Sequence, residues 1–166
     1  MSKPLKEDYI IRIKSRIEQR LDEPAAEEEK EECVELMTRG SFVLKGGSYY
    51  VTYRETETTG YEGCTTTLKI AADGSRVAML RFGKGGGAGT QLLIEKGRRN
   101  LCHYETGFGS MTLGVTADEI DCQLTEKGGI GVVSCAFSRR WEMAASRSDV
   151  SMFTSMRIMG ILLSTS

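Results

Sequence analysis

The sequence predicts an all-β fold: an antiparallel up-and-down β-barrel of about 8–10 strands with little helix. Strand-type runs recur about every 8–14 residues and are separated by short Gly-bearing turns. The chain holds 19 Gly against 2 Pro, which favours tight turns over rigid linkers. Apolar residues seldom recur at helical spacing, whereas strict alternation is frequent. Short meander connections favour closure into a barrel, because closure removes exposed sheet edges. The 166 residues suit one domain. With 40% hydrophobic and 27% charged residues, the composition is that of a globular chain and not of a disordered one.

The elements follow in order. Residues 9–17 alternate Tyr9, Ile11 and Ile13 with Arg12, Lys14 and Arg16, as a half-buried strand does. Residues 34–44 form the next run, and Gly46-Gly47 turns the chain into residues 49–56. Further strands are expected over residues 63–70, 76–82, 90–95, 100–106, 110–116, 120–124 and 130–137. Asp73-Gly74-Ser75, Lys96-Gly97-Arg98 and Lys127-Gly128-Gly129 supply hairpin chemistry, because Gly reaches positive φ without strain. Thr116-Ala117-Asp118-Glu119 has the make-up of a cap for one helical turn.

Charge is unevenly spread. The chain carries 22 basic and 23 acidic residues, yet seven acidic residues and one Lys lie between Asp22 and Glu32, a net of -6. The remainder has a net of +5. The 22–32 segment has no apolar face and is expected to be a solvated acidic loop. A sharper reading makes it a flap that shields a basic surface on the same domain.

No apolar stretch of signal-peptide length follows the N-terminus, and no run approaches the ~18 apolar residues of a membrane helix. The expected setting is therefore the cytoplasm. The five Cys (Cys33, Cys64, Cys102, Cys122, Cys135) form no CxxC pair and lack metal-ligand spacing, so they read as small buried hydrophobes. The run Gly83-Lys84-Gly85-Gly86-Gly87-Ala88-Gly89-Thr90 is not a phosphate loop, since its Lys precedes the glycines and strand-like residues follow. It reads as a hairpin loop. An aromatic content of 7% and a pI near 6.0 argue against a dedicated nucleic-acid binder.

No hydrolase elbow or zinc-protease motif is present, and no catalytic residue is assigned. His103 and Glu105 share one strand face, where a carboxylate two residues away would raise the His pKa toward neutrality. Polar residues spread through the strands suit a partly polar barrel interior, and a closed barrel can hold a small ligand. Glu55, Arg81, Glu95, His103 and Glu105 are the ligand-binding candidates, placed by alternation alone.

Three stretches resemble a known family. They are Tyr50-Val51-Thr52-Tyr53-Arg54-Glu55-Thr56-Glu57, Thr65-Thr66-Thr67-Leu68-Lys69-Ile70, and the run from Glu95 to Gly109, in which a Gly-Arg-Arg turn precedes Tyr-Glu-Thr and Gly-Phe-Gly. They resemble the YwiB-like family of uncharacterised bacterial proteins. That resemblance implies a calycin-like (lipocalin-type) barrel in a cytoplasmic setting; it carries no activity and no functional residues. It covers roughly residues 8–135. Residues 1–137 therefore read as the barrel domain and 138–166 as an atypical C-terminal tail. One explanation of the tail is a reading-frame shift near Phe137. If the tail is as written, the closing strand must come from residues 150–163, or the barrel stays open and pairs through its edges as a homodimer.

The first functional reading is a cytoplasmic barrel that binds a small ligand or serves as a scaffold, with no cofactor, no metal and no membrane contact. Its rival is a protein–protein interaction module that uses a sheet edge or surface. A third reading is an acid/base enzyme of low efficiency centred on His103.

Overall fold

Ten antiparallel strands run round a closed barrel in chain order: β1 (Tyr9–Arg20), β2 (Lys30–Lys45), β3 (Ser48–Arg54), β4 (Thr65–Ala71), β5 (Arg76–Phe82), β6 (Thr90–Glu95), β7 (Arg99–Thr106), β8 (Gly109–Thr125), β9 (Gly128–Arg139) and β10 (Phe153–Thr165). Each strand pairs with its neighbours in sequence, and β10 returns to β1. One 3-10 turn, Glu57–Thr59, is the only helix among the described residues. The structure is a computed structural model that describes residues 9–20, 30–83, 89–106, 109–139 and 153–165. The all-β, up-and-down barrel expected from alternation and Gly-bearing turns is the fold observed.

Several boundaries differ from the expectation. Residues 110–116 and 120–124 belong to a single strand, and the helical turn expected at Thr116–Glu119 is strand as well. The β8–β9 register slips between Ala117 and Glu119, so Asp118 is the extra residue of a β-bulge. Strand β2 begins at Lys30, so Glu31 and Glu32 pair with Glu18 and Ile17 and are not loop. The rest of the acidic segment, residues 21–29, and residues 84–88 of the glycine run lie outside the described residues. The tail supplies the closing strand: Phe153 pairs with both Ser138 of β9 and Arg20 of β1.

The register stacks the interior in rows, because the side chains facing inward recur every second residue. Tyr49, Ile70, Val77 and Ile94 are direct cross-strand neighbours in one row, and all are buried. Val51, Leu68, Met79 and Leu92 form the next row, also buried. Phe42 stacks on Tyr49 with ring centroids 5.4 Å apart, and the Tyr49 hydroxyl donates across the barrel to the Leu124 carbonyl at 2.9 Å. A buried hydroxyl of this kind would be costly without that acceptor. The opposite wall contributes Val115, Ala117, Ile120, Leu124 and Cys135. One further step along the strands, the row becomes Tyr53, Thr66, Arg81 and Thr90, and the interior turns polar.

Candidate functional site at the polar end of the barrel

The polar row sits where β3 ends, β4 begins, β5 ends and β6 begins. Glu55 follows β3 directly, and its backbone N–H donates to the Cys64 carbonyl at 2.9 Å, which folds the 55–64 connection back over the barrel end. Gly60, at φ 78°, closes the Glu57–Thr59 turn by donating its N–H to the Glu57 carbonyl at 3.0 Å, a left-handed conformation that suits Gly. This loop brings Thr59 and Tyr61 to the polar row.

The Glu55 side chain is only 1% exposed. A carboxylate at that depth must be compensated. Its Oε1 accepts from Thr66 Oγ1 at 2.5 Å and from Arg81 Nη2 at 3.1 Å, while its Oε2 accepts from Thr59 Oγ1 at 2.8 Å. Arg81 Nε lies 3.3 Å from Glu55 Oε1 and 3.2 Å from Thr66 Oγ1. Tyr53 is buried beside Thr66, its direct cross-strand neighbour. The Arg81 guanidinium carbon stands 3.9 Å from the Tyr61 ring centroid, within cation–π range. Tyr61 and Tyr104 join hydroxyl to hydroxyl at 2.8 Å, which links the 55–64 loop to β7.

Burial opposes the charge on Arg81, but Glu55 beside it, with lesser contributions from Tyr104, Tyr61 and Tyr53, keeps the guanidinium above its ordinary pKa. Burial raises the Tyr53 phenol first of all, and the Glu55 charge adds to the rise. Burial, then the hydrogen bond with Tyr104, pushes Tyr61 up to about 12. The cluster is thus one ion pair, Glu55 with Arg81, beside the protonated phenols of Tyr53 and Tyr61.

Of the five candidates read from the sequence, the structure brings Glu55 and Arg81 together. Glu95 lies beyond the apolar rows: it pairs with Arg76, and its Oε1 accepts from Asn100 Nδ2 at 3.3 Å. His103 is exposed opposite Gln91, also exposed, on the outer face of the wall. Glu105 pairs with Ser110 in the β7–β8 ladder, and its side chain lies outside the described residues. The sequence reading missed Tyr53, Thr59, Thr66, Tyr61 and Tyr104. Alternation could have found Thr66, which shares its parity with Leu68 and Ile70, whereas the neighbouring polar residues Thr65, Thr67 and Lys69 alternate away from the core. Among the cysteines, Cys102 and Cys135 are buried, Cys64 and Cys122 half-buried and Cys33 exposed.

No helix is long and apolar enough to cross a membrane among the described residues. No curated protein matches the chain in sequence. The crystal structure of the YwiB protein from Bacillus subtilis is similar, with a TM-score of 0.60 at 20% identity over 95% of this chain and 94% of that one. At that identity the likeness shows the fold. A family model described as a domain of unknown function, DUF1934, matches residues 12–137, a span that runs from β1 to β9 and includes the whole polar cluster. The chain belongs to the DUF1934 family.

Proposed function

We propose that this protein is a cytoplasmic small-ligand-binding β-barrel whose site is the polar end around Arg81. The observation that carries this reading is the abrupt change in the interior from two apolar rows to an ion pair ringed by hydroxyls. A barrel end needs no such row for stability, since a buried ion pair is often no better than apolar side chains of similar volume. Arg81 and the Tyr61–Tyr104 pair are only partly buried and can meet solvent-borne molecules. The calycin-like character inferred from the resemblance fits this use, because closed antiparallel barrels offer an interior end as a ligand mouth.

Thermal-shift screening of the full chain against metabolites tests the proposal. A ligand at about 100 times its dissociation constant should add about 2.7 kcal/mol of stability. The same ligand should lose that effect on an Arg81→Lys variant. A hit whose effect is unchanged in that variant would move the site elsewhere, and a broad library with no hit would remove the binding reading.

A further inference from the structure

The donors and acceptors at the polar end are unequal in number, and the imbalance specifies a ligand. Glu55 is the one carboxylate among the described residues of the cluster, and both of its oxygens accept hydrogen bonds, from Thr66, Arg81 and Thr59. Those contacts fall on the Nε and Nη2 side of the planar guanidinium. The Nη1 group therefore points along the other edge, away from Glu55. The Tyr61 and Tyr104 hydroxyls share a single hydrogen bond, which uses one of their protons and directs the other elsewhere. Tyr61 lies against the guanidinium face, so the hydroxyl pair and Arg81 form one surface. The Arg81 side chain is 13% exposed. The cluster thus presents donors where its own acceptors are occupied.

Charge narrows the choice. Glu55 cancels Arg81, so a doubly charged phosphate would leave the buried end strongly negative, which low-dielectric surroundings penalise. A single carboxylate brings two acceptor oxygens with one charge, and its plane matches guanidinium N–H groups.

We propose that the polar end binds the carboxylate of a small organic acid, held by the Nη1 side of Arg81 and by the remaining hydroxyl proton of the Tyr61–Tyr104 pair. This rests on the small-ligand reading above and names its ligand class. Glu55, Thr66 and Thr59 are positioning residues that hold the guanidinium in place.

The test is a titration of the full-length protein with acetate, lactate and benzoate, beside benzamide and inorganic phosphate, read by NMR of the tyrosine rings. Benzoate is expected to shift the Tyr61 and Tyr104 signals saturably and to bind at least tenfold more tightly than benzamide. Tyr104→Phe removes a hydroxyl without touching the ion pair and should weaken benzoate about tenfold, since hydrogen bonds to charged groups are the stronger kind. Arg81→Lys keeps the charge opposite Glu55 but loses the planar fork and should weaken it at least as much; a circular-dichroism melt confirms that each variant is folded. Equal binding of benzoate and benzamide, or an unchanged affinity in folded Tyr104→Phe, overturns the carboxylate assignment. If carboxylates leave the rings unmoved while a hit from the metabolite screen shifts them, the carboxylate assignment fails and the small-ligand reading stands. If nothing shifts them, both fail.

Discussion

Glu55 decides whether the polar end holds together. Its carboxylate is buried, and its partners reach it from β4, β5 and the 55–64 loop. Glu55→Ala leaves the largely buried Arg81 guanidinium without its carboxylate partner, so urea unfolding should show a loss of about 3–5 kcal/mol. Glu55→Met combined with Arg81→Met removes both charges and should be closer in stability to the parent than either single substitution. Single losses below ~1 kcal/mol, typical of a solvated pair, would contradict the burial described. The Tyr61 phenol adds a pH signature. Its pKa is raised from 10.0 to about 12 in the folded chain, so below pH 10 the phenol is protonated in both states and its contribution is complete. Between pH 10 and 12 the unfolded chain releases this proton first, and stability should fall over that window, as urea midpoints taken at successive pH values would show. Tyr61→Phe should flatten part of that fall. Glu55 and Arg81 were legible because an ionisable residue in a strand invites a question. Tyr61 was not, because it sits in a loop without periodicity and meets Tyr104 from 43 residues away.

The strands were largely legible because alternation is a local property, and β3 to β6 keep it without interruption. Where it slips, the reading broke. Val115 and Ala117 face inward, then Ile120 and Leu124 do, which is one residue out of phase. A bulge at Asp118 absorbs the slip, so one continuous strand looks in sequence like two strands with a capped turn between them. Removal of Asp118 should restore unbroken alternation, with Val115, Ala117, Ile120 and Leu124 still inward. Deletion of that residue is therefore expected to keep a cooperative unfolding transition, whereas insertion of one Ala after Ala78 should abolish it by turning Met79 outward and Leu80 inward. Circular-dichroism melts of the two variants make the comparison, and loss of the transition on deletion would show that the bulge shapes the wall in its own right. The same deletion removes the Asp118 charge, the lesser of two causes, after burial, that push the Cys135 thiol up to about 12. Cys135 should stay slow toward alkylating reagents either way, because burial dominates.

Closure of the barrel depends on a segment that the family match does not reach. That match ends at residue 137, and the last strand, Phe153–Thr165, lies beyond it. Yet β10 pairs with β1 from Tyr9–Thr165 to Arg20–Phe153 and with β9 from Ser138–Phe153 to Val132–Met159. It is therefore the element that turns a nine-stranded sheet into a closed wall. The tail as written supplies a closing strand that overlaps the expected range and runs two residues past it, and it covers the edges of β1 and β9. The sequence pointed to this segment only through the barrel's need for a last strand, because a closing strand is defined by two partners more than a hundred residues apart. A chain that stops after Arg139 loses every one of these pairings and exposes the β1 and β9 edges together. Unpaired edges of 12 residues each are templates for strand addition. Light scattering after size exclusion should find the full chain as a monomer and the shortened chain as a larger, concentration-dependent species. A peptide spanning 153–165, added in excess, should return the shortened chain toward monomer by occupying the gap. A shortened chain that stays monomeric without the peptide would mean that β1 and β9 reach each other directly, and the barrel would then close on nine strands.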